Sequence, residues 1–438
     1  MTAVLQVPLL VAAEPPVEWI DPDTSHRVIR LSEEPGTASL YFHQNGYTPD
    51  GEHVIVTTAD DGIAMIHLQS RKMRKLVAGP VRVLMAGPKS GNIYYTRRGD
   101  GDGPLRVFTV SSTTEESREI ATLPDGATLA SVNADETLLL GTIVPPTSGL
   151  AQGWQSGQNG GTSQSAQGGD RRFLQANYQA IGPDGKPMTY ADAKELRLHQ
   201  MLQTIRSGPP REIYVLDIRT GAVRIVHRER QWLNHLQFSP TDPHQIMFCH
   251  EGPWHEVDRL WTIRVDGSGL TKIHTRTMNM EIWGHEFFSP DGGTIWYDLQ
   301  TPRGEDFWLA GYELGTGKRT WYHLERNEWS VHFNISPDGR LFAGDGGDEE
   351  MVARASDGKW IYLFRPDPTK QIAGIRTVDA DSLIAPGVLR AERLVNMAGH
   401  DYRLEPNVTF TPDGKWVVFR SNMHGSIHTY AVEVAKAR

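Results

Sequence analysis

The stretch IWGHEFFSPDGGTIWY, Ile282–Tyr297, decides the fold. One β-rich run enters the turn Ser289–Gly292, and a second, Thr294–Tyr297, leaves it. Proline fixes φ early in such a tetrapeptide and glycine permits positive φ at its end, so the chain reverses tightly. The same Ser/Thr-Pro-Asp-Gly turn recurs at Thr48–Gly51, Ser336–Gly339 and Thr411–Gly414, with a variant at Ser239–Asp242. Short β-rich runs follow: His53–Thr57, Gln245–Cys249, Leu341–Ala343 and Trp416–Phe419. Weaker copies fit the gaps, Gly87–Gly91 before Asn92–Thr96 and Asn133–Glu136 before Thr137–Gly141. Most copies are about 40 to 50 residues apart, room for four strands each, as propeller repeats require. Even spacing disfavours a pair of β-sandwiches. The expected fold is all-β, a seven-bladed β-propeller forming one domain over 1–438.

Second hairpins, Tyr214–Arg224 and Tyr312–Trp321, supply outer strands. One interval is too long, which places an insertion at 148–210, between the third and fourth blades. Ser148–Gly169 holds 16 Gly, Ser or Gln in 22 residues and reads as a flexible loop. Tyr190–Arg206 follows as a helix with Leu196, Met201, Leu202 and Ile205 on one face. It is either decoration or a lid over one mouth of the propeller.

Composition narrows the function. A single cysteine, Cys249, excludes a disulfide framework, a four-cysteine zinc site and a C-x-x-C redox motif. With 44 Lys plus Arg against 53 Asp plus Glu, the net charge of −9 argues against nucleic acid as a partner. No apolar run is long enough to span a membrane. Val4–Ala13 is apolar but lacks a basic leader and is broken by Gln6 and Pro8, so a cytoplasmic location is expected. There is no G-x-S-x-G elbow, P-loop or dinucleotide fingerprint.

The strand entering each turn should be innermost in its blade and line the axial channel. Five residues before the turn proline stand Gln44, His235, His285, His332 and Asn407 in the clear copies, and Val83 and Leu129 in the weaker ones. Strand alternation adds Glu405 to the face of Asn407. Such a ring binds water, or it does chemistry. Histidine serves as a base near neutral pH and as a metal ligand, and Glu405 and Asn407 add oxygen donors for a divalent ion such as Mn²⁺. A second cluster runs from Phe248 through His250 and His255 to Arg259. The histidines are five apart and Gly252-Pro253 intervenes, which excludes a helical zinc motif. Arg259 requires a carboxylate, from a ligand or from a nearby acid such as Glu256.

Gln231–His235, Phe248–Pro253, Arg259–Trp261, His285–Phe287, His332 and Gly344–Gly346 together resemble the oligogalacturonate lyases, which are seven-bladed propellers. The resemblance runs in order through most of the chain and is strongest from Arg211 to Asp345. It implies that His285 is the base, that Arg259 faces the substrate carboxylate, and that His332 binds manganese. The family's two late histidines fall on Glu405 and Asn407 and its glutamine on Tyr402, with His400 nearby as a substitute ligand. His332, Glu405, Asn407 and His400 are therefore the expected metal ligands, and Gln44, His235 and His250 the expected substrate-binding residues. The implied reaction is β-elimination on an anionic uronate oligosaccharide. The alternatives are a lyase for another uronate and a non-catalytic propeller binding a glycan or a protein.

Overall fold

The computed structural model describes residues 14–100, 103–144, 180–302, 304–349, 354–368 and 384–437. The expected loop Ser148–Gly169 and the apolar stretch Val4–Ala13 lie outside the described residues. The four Pro-Asp-Gly turns share one wiring. The glycine N–H donates to the Ser/Thr carbonyl at 2.8 Å in each, and the glycines sit at φ 72°, 71°, 72° and 69°. The Ser/Thr hydroxyl donates to the turn aspartate, as Thr411 does to Asp413 at 2.7 Å. These bonds are made within a few residues, which is why the turns were readable from sequence.

Four sheets are four-stranded antiparallel meanders, one of them running Trp232–Phe238, Gln245–Glu251, Leu260–Arg264 and Thr271–Lys272. An eight-stranded sheet holds two more meanders, joined by parallel pairing of Arg319–Leu324 with Ile384–Asn396. In the last sheet Thr409–Phe410, Trp416–Ser421 and His428–Lys436 continue onto His26–Arg30 and Glu18–Ile20. The first and last described strands are thus brought into one sheet. This is a nearly all-β propeller. Its sheets pack face to face through aromatic residues: Trp283, Trp308 and Trp321 are fully buried with Met247 and Leu260 of the preceding sheet. Each such side chain contributes roughly 1.5–3 kcal/mol by burial.

The helix spans Tyr190–Ser207, capped by the Thr189 hydroxyl, which accepts from the Asp192 N–H at 3.2 Å. Met201, Leu202 and Ile205 are buried as expected, but Leu196 is exposed, and Ala193 and Leu198 complete the buried face. The insertion's position needs correcting. Leu138–Ile143 pairs directly with Arg211–Asp217, so the inserted residues interrupt one sheet between its second and third strands. Spacing between turns could not distinguish that from an insertion between sheets. Among the described residues no helix is long and apolar enough to cross a membrane.

Candidate active site

Three of the polar residues aligned by register share a backbone feature. His235, His285 and Asn407 all adopt left-handed backbone, at φ 48°, 47° and 55°. In the strands of His235 and His285 the pairing shifts at that point, between Asn234 and Gln237 and between Gly284 and Phe287. Such a bulge costs a non-glycine residue roughly 1 kcal/mol and re-aims its side chain, a feature common beside active sites.

The structure brings His235, His285, His332 and Glu405 around one volume. The His285 and His332 rings are 4.8 Å apart, centre to centre, and His332 lies 5.1 Å from Tyr41. His235 lies 6.3 Å from both Tyr41 and His43. Tyr41 and His43 were not foreseen. The first copy forms a turn there instead of a strand, with the Gln44 N–H donating to Tyr41 O, so equal counting failed. Gln44 itself is tied down: its Oε1 accepts from the Tyr41 N–H at 3.0 Å. Burial, and then neighbouring His235, pull the His43 imidazole down to about 3, so it stays neutral.

His332 is fully buried and oriented by Asp345, which its Nδ1 meets at 2.8 Å while its backbone N–H donates to the other carboxylate oxygen at 2.8 Å. That leaves Nε2 toward Tyr41 Oη at 3.2 Å and Glu405 Oε2 at 3.7 Å. Burial alone would lower this imidazole's pKa, but Asp345 and Glu405 overcome it and raise it. The same excess of negative charge that favours a proton on Nε2 suits a divalent cation, and a carboxylate on Nδ1 is the usual partner of a ligating histidine. His332 and Glu405 fit a metal.

Asn407 and His400 do not, and both expectations need correction. Asn407 Oδ1 accepts from the Phe42 N–H at 3.1 Å, and its Nδ2 donates to Glu405 O at 3.1 Å. Its amide stitches distant segments together, and the left-handed turn there breaks the alternation that paired it with Glu405. His400 is buried with Nδ1 on the Ser421 hydroxyl at 2.9 Å and Nε2 donating to Leu404 O at 2.7 Å. Tyr402 is likewise structural, its hydroxyl donating to Asp345 O at 3.0 Å.

Burial holds the His400 pKa down at about 4 against an ordinary 6.5. A depressed histidine pKa contributes stability above 6.5 that is lost as the pH falls through about 4. In urea titrations across that window, the parent should lose on the order of 3 kcal/mol more than His400→Gln, which has no proton to take up there. Equal losses would show that His400 does not titrate as the structure requires.

His285 is partly exposed, with Nδ1 at 3.4 Å from the buried Asp298 Oδ1 and its ring 5.2 Å from the Trp254 indole. Arg259 is fully buried. Its guanidinium donates to Glu251 at 2.7 Å, reaches Glu286 at 3.8 Å, and sits 4.3 Å from the Trp254 ring. Its partner is therefore a protein carboxylate, and it is Glu251, not Glu256. Glu286 in turn lies 3.3 Å from His235 Nδ1. The charges of His235 and Arg259 hold its carboxyl low against the opposing effect of burial. His235, Cys249 and Glu286 place ligand atoms within 4.8 Å of one another, a second group able to hold an ion, although Arg259 competes there with any cation. His250 lies on the other face of its strand, its Nε2 at 2.6 Å from Glu229, away from this volume. It belongs to the packing between strands, with Trp261 at 5.2 Å, and is not brought to the site.

A model of the oligogalacturonate lyase family matches residues 185–437. The oligogalacturonide lyase of Pectobacterium atrosepticum is 24% identical over 434 residues, covering 94% of this chain and 95% of that one. The oligogalacturonate lyase of Dickeya dadantii is 28% identical over 224 residues, 50% of this chain and 54% of its own. Among solved structures, an oligogalacturonate lyase in complex with manganese superposes with a TM-score of 0.69 at 21% identity, over 96% of each chain. The Vibrio parahaemolyticus enzyme superposes equally well, with a TM-score of 0.69 at 20% identity over 96% of each chain, and at these identities the likeness is one of fold. Matched by the family model over more than half its length, this chain belongs to the oligogalacturonate lyase family.

Proposed function

We propose that this protein cleaves short galacturonate chains by β-elimination. One observation carries the reading: the family match over 185–437 contains the two buried-carboxylate–histidine pairs, Asp298–His285 and Asp345–His332, whose rings stand 4.8 Å apart. The proton on C5 of a uronate is α to a carboxylate, so its removal leaves an enolate-like dianion that needs nearby positive charge. His285 takes that proton on Nε2, while Asp298 at Nδ1 orients the ring and stabilises the imidazolium that results. The C4–O bond then breaks, the glycosidic oxygen leaves and takes a proton from water or from the His285 imidazolium, and a C4–C5 double bond remains in the product. His332 and Glu405 would hold a divalent metal, manganese in the first instance, and a bound ion would supply Lewis-acid stabilisation of the carboxylate as charge builds on it. Arg259, committed to Glu251, lies against the Trp254 indole that flanks His285. The unsaturated product absorbs in the ultraviolet. The test is therefore absorbance during incubation with oligogalacturonate, with Mn²⁺ and with EDTA. No rise in either would reduce the protein to a binder.

The metal reading has its own check. Glu405→Gln removes a formal charge at nearly constant volume, and His332→Ala removes the imidazole. Metal content after loading with Mn²⁺ should fall by roughly tenfold or more in each, the scale of losing one ligand or its support. Equal metal in parent and variants would place the ion elsewhere, with the His235–Cys249–Glu286 group next to be examined.

A further inference from the structure

The inserted helix puts a cation at the rim of this site that the reaction scheme above does not use. The helix is held on the turn that carries Trp254. Glu195 Oε1 lies 3.5 Å from His255 Nε2, His199 Nε2 lies 3.7 Å from Glu256, and a Cβ added at Gly252 would stand 3.2 Å from Leu202. From this seat the half-buried Lys194 extends its Nζ to 6.0 Å from the Trp254 ring centre. Trp254 is also the neighbour of Arg259 at 4.3 Å and of His285 at 5.2 Å. Lys194 and the base are thus both neighbours of one indole.

The two cations around Trp254 differ in their commitments. Arg259 is fully buried and bonded to Glu251. Lys194 makes no ion pair within 4 Å among the described residues, although Glu251 and Glu405 act on it at longer range. Partial burial without a close counter-ion leaves an ammonium less well solvated than in water, which lowers its pKa. An incoming carboxylate would supply what it lacks. We propose that Lys194 binds the carboxylate of the uronate adjoining the one that is cleaved, so that the inserted helix selects a chain whose neighbouring sugar is charged.

This rests on the lyase reading, and the experiment separates the two. Initial rates are measured for the parent, Lys194→Met and Lys194→Arg on trigalacturonate and on its analogue with the non-reacting carboxylates methyl-esterified. Lys194→Met should raise KM for trigalacturonate roughly tenfold, the scale of one partly desolvated ion pair, with kcat changed far less, and Lys194→Arg should recover part of the loss. The parent should lose a similar factor on the esterified analogue, and Lys194→Met should lose almost nothing more there. An unchanged KM in Lys194→Met, or penalties that simply add, overturns the role of Lys194 while leaving the lyase reading intact. A parent that forms no unsaturated product from trigalacturonate overturns both. Circular dichroism of Lys194→Met should match the parent, and if it does not, a KM restored in Lys194→Arg still supports the assignment while a KM raised equally there overturns it.

Discussion

His285→Ala should lower kcat by at least roughly 100-fold, the scale of losing a positioned general base, while trigalacturonate still binds. The geometry isolates the effect. His285 is the one histidine of the described cluster that is both partly exposed and backed by a buried carboxylate, Asp298, at 3.4 Å. Its ring carries little of the core, so the fold should persist. Binding is followed by calorimetry and turnover by ultraviolet absorbance. If the variant turns over like the parent, another group takes the proton. His235 shares the register and would come next, but it is buried against Glu286 and must first give up that contact.

Replacing Arg259 with alanine should cost about 3–5 kcal/mol of stability, the range for breaking a buried ion pair from one side. Two carboxylates depend on it: Glu251 at 2.7 Å and the fully buried Glu286 at 3.8 Å. Without the guanidinium both must take up protons or draw in water. Lysine should rescue little, because one ammonium cannot donate to Glu251, approach Glu286 and lie against Trp254 at the same time. Urea unfolding of parent, Arg259→Ala and Arg259→Lys reads this directly. Adding Glu286→Gln to Arg259→Ala should return part of the loss, since one orphaned charge is removed with its partner. Parent-like midpoints in both single variants would mean that the pair is not held as described.

Among the features read from sequence, those that survived are those with short-range causes. The turns were legible because each is closed by bonds within a few residues, Gly292 to Ser289 and Ser289 to Asp291 among them. The helix was legible from the spacing of Met201, Leu202 and Ile205 on one face. The shared register of His235, His285 and Asn407 was found by counting from the prolines, yet the left-handed backbone they share was not. At Asn407 the left-handed backbone lies outside any strand, and so Glu405 and Asn407, two residues apart, face different partners. His43 and Tyr41 had no signal of this kind, because the first copy folds as a turn where the copies of His235 and His285 run as strands.

The sequence by itself determined an all-β chain punctuated by repeated turns, the inserted helix, and a set of polar residues at one height. Tertiary structure alone decided which polar atoms remain available for chemistry. Asn407 gives its oxygen to Phe42, 365 residues away, and His332 meets Tyr41 across 291. The physical reason is that turn geometry is set by bonds between near neighbours, whereas a ligand or a base is defined by what its nitrogen or oxygen has not already bonded, and those partners arrive only when the sheets close around the channel.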